Sequence, residues 1–110
     1  MSSVLREGAA APYSVEVEVT VAPGDTWDPQ TVTVGELVVR RTDLTVVTWA
    51  ATLSGATATK VFLTHALAAD GSDVPVGSAG LWVIRPKLTV PGGTIYGDPI
   101  ATTVATAFAY

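Results

Sequence analysis

The chain has 110 residues, no cysteine, and a formal net charge of -4 with a pI near 4.6, which leaves room for one domain with one core and excludes a disulfide framework, a thiolate metal site and a cysteine nucleophile. Its six lysines and arginines are scattered without a basic stripe, which argues against nucleic acid as a partner. Only 15% of residues are charged, against roughly 25% in average soluble domains. With 48% apolar residues but no run near the ~20 that a membrane-spanning helix needs, the balance points away from a membrane and toward an assembly component whose surface is partly covered by neighbours.

In chain order, residues 1–13 read as an amino-terminal arm, rich in Ala, Gly and Ser, with Val4, Leu5 and Arg6 as candidate protein contacts. No basic segment followed by an apolar core stands there, so no secretory signal is expected. Residues 14–110 read as a single all-β domain. From Ser14 to Ala22, valines alternate with Glu16, Glu18 and Thr20. That period predicts a half-buried antiparallel strand with Val17 and Val19 in the core and one wet face.

Pro23 to Pro29 carries turn chemistry. Trp27 inside it is read as a plug closing the end of the core, the alternative being an exposed aromatic for a sugar or protein contact. In Thr31–Arg41 the apolar register slips between Val34 and Leu37, so a bulge or tight turn is expected at Gly35-Glu36. Asp43–Leu53 then reads as the central strand. Val47, Trp49, Ala51 and Leu53 fall on one face; the other, Val46, Thr48, Ala50 and Thr52, is too weakly polar for open water and should be covered by a loop or another subunit.

Thr59–Leu67 alternates as a strand with Leu63 inward, although His65 to Gly71 also permits a short helix. The single His65 is read as a packed or surface residue, because neither a second histidine nor an activated serine motif accompanies it. Asp70-Gly71-Ser72-Asp73 resembles half a calcium loop but lacks the further oxygens calcium requires; a β-turn is expected. Leu81–Val90 places Trp82 and Ile84 on one parity, and Pro86 inside it predicts an edge strand or a kink between two strands. The closing residues set Ile100, Thr102, Val104, Thr106, Phe108 and Tyr110 against alanines and Thr103, a strand able to add to a neighbour's sheet edge and hence a second set of candidate contacts.

No catalytic constellation is present: the carboxylate pairs Glu16/Glu18 and Asp25/Asp28 lie on a wet strand face and in a proline-bounded turn. The chain is therefore not expected to be an enzyme, and neither a cofactor nor a metal is expected.

The succession Gly24-Asp25-Thr26-Trp27, Asp43-Leu44-Thr45 before Val47–Leu53, Asp70-Gly71, and Gly80–Leu88 with its Ile84-Arg85-Pro86-Lys87 core resembles small immunoglobulin-like proteins of bacteriophage tails and baseplates. The resemblance spans most of residues 14 to 100 and leaves out the Ala/Thr-rich carboxyl end. It implies an immunoglobulin-like antiparallel β-sandwich of about seven strands with extended termini. It also implies a virion structural protein that forms homo-oligomers and binds other virion proteins, in the tail or head-to-tail region. A capsid decoration protein is the neighbouring reading. A carbohydrate-binding module using an exposed tryptophan, Trp27 or Trp82, is the alternative of another class; a cell-surface adhesion domain, for which no signal is read, is the weakest.

Overall fold

The computed structural model describes residues 5–10 and 12–106. The expected contacts Val4, Phe108 and Tyr110 lie outside them. Among the described residues the chain forms strands β1 (Leu5–Arg6), β2 (Ser14–Thr20), β3 (Val34–Arg40), β4 (Val46–Ser54), β5 (Lys60–Ala66), β6 (Gly80–Val90), β7 (Gly93–Tyr96) and β8 (Ile100–Ala105), with one 3-10 turn at Pro29–Thr31. They pair in the order β1-β8-β6-β3-β4-β5-β2, with β7 also on β6. All pairs are antiparallel except β1 with β8.

One strand folds this ladder into two layers. Val46–Ala51 of β4 pairs with β3, while Thr52–Ser54 leaves that layer to pair with β5. The larger layer is β8-β6-β3-β4 with β1 and β7 at its margin; the smaller is β2-β5 with the end of β4. β2 pairs with β5, β3 with β6, and β6 with β8, and the fold is an all-β sandwich.

The core follows from two-residue alternation on both layers. Val17, Val19, Trp49, Leu63, Trp82 and Ile84 are buried together with Leu37, Val39, Val61 and Leu88, and Leu53 is half-buried against them. The bulge expected at Gly35-Glu36 is absent: β3 pairs without interruption on both sides, with Gly35, Leu37 and Val39 inward. The slip is absorbed upstream by the 3-10 turn, where the Asp28 carboxylate accepts from the Gln30 amide at 2.9 Å. Gly35 occupies an inward slot because Leu53 and Leu63 fill the space: a Cβ there would lie 2.7 Å from Leu53 Cδ2.

β3, not β4, is the middle of the ladder, and β4 starts only at Val46. Residues 42–45 form a turn, in which Asp43 accepts from the Thr45 hydroxyl at 2.6 Å and its amide at 3.1 Å. β6 is one continuous strand despite Pro86. The Pro86 carbonyl accepts from the Gly97 amide at 2.9 Å, so its nitrogen faces the same side. On that side β7 has ended at Tyr96 and β8 begins only at Ile100, and no ladder partner is lost there.

The amino-terminal residues Leu5 to Ala10 belong to the sandwich rather than to a separate arm. Leu5, 8% exposed, sits in the core beside Val104, 2% exposed, so neither side chain is available as an intermolecular contact. The Glu7 amide donates to Ala105 at 3.0 Å, and the Glu7 carboxylate accepts from the amides of Gly77 and Ala79 at 2.6 and 3.1 Å. Strand pairing plus this pair of amides stitches the segment to both the last strand and the β5–β6 connection.

Replacing Gly35 with valine should destabilise the domain by about 1–3 kcal/mol through overpacking, and Trp49→Ala by about 3–5 kcal/mol through the cavity left behind. Urea unfolding checks both; an unchanged midpoint for either variant contradicts the packing described.

Candidate functional site

A column of aromatic and part-buried polar side chains runs against the core. The Arg41 guanidinium lies 5.5 Å from the centroid of the Trp82 ring; Trp82 and Trp49 centroids are 6.3 Å apart; and Trp49 stacks on His65 at 4.6 Å with 14° between planes. His65 reaches Trp49 because 61, 63 and 65 form the inward face of β5. Its Nδ1 donates to the Ala50 carbonyl at 2.8 Å, since a carbonyl only accepts, and its Nε2 meets the Asp73 carboxylate at 2.9 Å. The same Asp73 oxygen accepts from the Ala68 amide at 2.8 Å. Trp82 Nε1 donates to the Ser78 carbonyl at 2.7 Å, and Arg41 donates to the Asp73 carbonyl at 3.3 Å.

These bonds run from the sheet to residues 67–79 and hold that connection down. Both ring nitrogens of His65 are already bonded, one to backbone and one to the carboxylate of the connection, so the column has the geometry of a clip. His65 is a packed residue on a strand, and residues 65–71 form no helix. Its partner Asp73 is the element that sequence reasoning missed. In the Asp70–Asp73 turn, Asp70 accepts from the Ser72 amide at 3.0 Å while Asp73 turns inward. Among the described residues no group of three or more potential metal ligands converges.

The turn carboxylates are tuned by local bonds. The Thr45 hydroxyl, then its amide, hold the Asp43 carboxyl below the usual carboxylate range, and the Ser72 side chain and amide do the same for Asp70. Asp28 caps the 3-10 turn. Glu18 pairs with Lys60 at 3.3 Å, and Glu16 accepts from Thr64 at 3.4 Å.

Among the concave regions of the described surface, two bear on the expected contacts. A cleft of about 300 Å³ at one end is lined by Trp27, Tyr96, Asp25, Asp98 and Glu18. Trp27 is half-buried against the core, closing its end as a plug does while leaving part of its surface on the cleft. Trp49 and Trp82 are buried, so Trp82 is not an exposed platform for a sugar. A second groove of about 580 Å³ lies where the two ends of the ladder meet, with Val15 and Val17 of β2 on one side and Ile100 and Thr102 of β8 on the other. Of the expected contacts, Ile100 and Thr102 thus lie in this groove, and Arg6 and Thr106 are exposed elsewhere.

The most extensive candidate surface is the outer face of the larger layer. The pairings Ala101–Val83–Arg40–Val46, Arg85–Val38–Thr48 and Lys87–Glu36–Ala50 run across β8, β6, β3 and β4 in successive rows. Val46 and Leu81 are each 59% exposed there, and Val34 is 48% exposed. No described segment covers the weakly polar face of β4: Val46, Thr48, Ala50 and Thr52 are all exposed. Three of the chain's cations, Arg40, Arg85 and Lys87, stand on this face; Lys87 is 3.9 Å from Glu36, and Arg85 lies 5.0 Å from the Tyr96 ring centroid.

No protein-family model matches the chain, and comparison with curated proteins and with solved structures found no match.

Asp73→Ala leaves the His65 Nε2 without its partner and the Ala68 amide without its acceptor and should cost about 1–3 kcal/mol. Hydrogen exchange should show the Ala68 amide losing protection while Leu37 and Val39 in β3 remain the slowest; uniform loss across the domain contradicts a local clip. Thr45→Ala removes the first cause of the low Asp43 value, so an NMR titration should find that carboxyl closer to its ordinary value. Because a depressed folded-state value stabilises above the unfolded value and is lost as pH falls through the folded one, the variant's stability deficit should narrow in acid.

Proposed function

We propose that the chain is a bacteriophage virion structural protein, a non-catalytic module of the tail or head-to-tail region that binds neighbouring virion proteins. The observation that carries this reading is the uncovered outer face of the larger layer, where Val34, Val46 and Leu81 stand exposed among small and β-branched side chains. A solvated sheet face carries charged residues at most outward positions; this one reads as a face made to be covered. The charged fraction of 15% agrees with it, and the resemblance of the Gly-Asp-Thr, Asp-Leu-Thr and Gly80–Leu88 segments to phage immunoglobulin-like proteins supplies the virion setting. The His65–Asp73 pair supports the absence of catalysis only in that its polar atoms are already bonded to each other and to backbone.

A decoration protein on the capsid exterior is served by the same face. The carbohydrate-binding reading rests on a different observation, the cleft bearing Trp27, Tyr96, Asp25 and Asp98, where two aromatics and hydrogen-bonding carboxylates lie together.

Mass spectrometry of gradient-purified particles checks the assembly reading. The protein should band with particles, and Val46→Glu with Leu81→Glu should move it to the soluble fraction, while the unfolding free energy stays within about 0.5 kcal/mol of the parent as befits exposed sites. Full incorporation of that double variant overturns the role assigned to this face, and recovery of the parent protein only as free protein overturns the virion reading.

A further inference from the structure

The geometry points to a head-to-tail contact between copies of this chain, in which the outer face of the β8-β6-β3-β4 layer docks on the outer face of the β2-β5 layer of the next copy. The inference rests on the assembly reading and names the partner of that face.

Charge selects the occupant. Three cations, Arg40, Arg85 and Lys87, against one carboxylate, Glu36, leave the larger face at +2, while the chain as a whole stands at -4, so the rest of the molecule carries -6. A two-fold contact of this face with itself would set like charge on like charge, which costs affinity and steers copies apart. The outer face of β2 and β5 carries Glu16 and Glu18 against Lys60, net -1, so a contact with that face of a second copy does the reverse.

Strand geometry selects where on that copy. Along β6, Arg85 and Lys87 stand two residues apart on the outward side; along β2, Glu16 and Glu18 stand two residues apart on the outward side, both exposed. One strand repeat separates each pair, roughly 7 Å, so two carboxylates and two cations match in spacing when the sheets stack face to face. The ion pairs already present are exchangeable surface pairs, Lys60 with Glu18 at 42% and 47% side-chain exposure and Lys87 with Glu36 at 34% and 32%; Arg85 donates to the Gly97 carbonyl at 3.3 Å beside the Tyr96 ring, and Glu16 accepts from Thr64 at 3.4 Å, both at the exposed surface. Val46, Leu81 and Val83 on one face and Phe62 on the other supply apolar area beside the charges. Because the two docking faces differ and lie on opposite sides of the sandwich, the contact is heterologous. It propagates, closing into a ring or running on as a filament, the form a repeating virion component requires.

The test is a charge exchange read by sedimentation and light scattering across a concentration series. One variant carries Arg85→Glu with Lys87→Glu, the other Glu16→Lys with Glu18→Lys, each first shown to unfold cooperatively. The expected result is that the parent protein gains mass with concentration, less so in high salt, that each variant alone remains monomeric, and that an equimolar mixture regains the parent's association. Should a variant fail to fold, Arg85→Gln with Lys87→Gln or Glu16→Gln with Glu18→Gln replaces it, with weakened association expected. A parent that stays monomeric, a dimer insensitive to both exchanges, or a mixture that remains monomeric each overturns the head-to-tail contact. If the parent nevertheless bands with particles, the assembly reading survives that failure; if it self-associates but is absent from particles, only the virion reading falls.

Discussion

The packing of Trp49 between Trp82, at a tilt, and His65, face to face, is the contact on which the rest of the structure depends. Trp49 comes from the strand that changes layers, Trp82 from the longest strand of the larger layer, and His65 from the smaller layer. Three rings therefore join both sheets at one point in a chain that has no disulfide to do so. Around them the column is completed by the indole N–H on Ser78 and the imidazole on Ala50 and Asp73, groups that are desolvated at least cost when bonded, and by the guanidinium over Trp82, whose Nε is buried without a hydrogen-bond partner among the described residues. The polar ends of the column are what fasten residues 67–79, a connection with no regular structure of its own, to the sheet.

This use of polar chemistry explains why the domain offers so little of it outside. His65, Asp73 and Arg41 are turned inward, while Asp28, Asp43 and Asp70 are engaged in turns. What remains on the larger layer is an outward surface of Val, Thr, Ala and Leu crossed by a few cations. A sheet face of that composition in water is an interaction surface waiting for its partner, and its charge, opposite in sign to the molecule's total, gives the partner a polarity. Structure and proposed function meet in this division: the interior bonds make a rigid slab, and the slab presents unlike faces.

The elements that were legible in the sequence are those whose signal is local. β2 declares itself through valines alternating with Glu16, Glu18 and Thr20, and the inward parity of Trp82, Ile84 and Leu88 stands out despite Pro86. The elements that were not legible depend on distant partners. Leu5–Arg6 is too short to carry a period, and it becomes a strand only because Val104 and Ala105 lie beside it in parallel. The register of β3 was misread because Val32 and Val34 look like strand positions, whereas the 3-10 turn before them resets which face is inward. Pro86 was misread because its missing donor matters only if a neighbour is present on that side.

For the candidate surface the same boundary holds. The sequence by itself determined an all-β chain with one core, the inward residues of β2, β4, β5 and β6, the weakly polar second face of β4, and the two-residue spacings of Glu16 with Glu18 and Arg85 with Lys87, because side-chain alternation is a property of the extended backbone alone. Only the tertiary structure decided that Arg40 joins Arg85 and Lys87 on one face, that Leu5 and Val104 are core, and that His65 finds Asp73, because each of these requires two segments far apart in sequence to be paired in a definite register, and register is set by the packing of the whole sandwich.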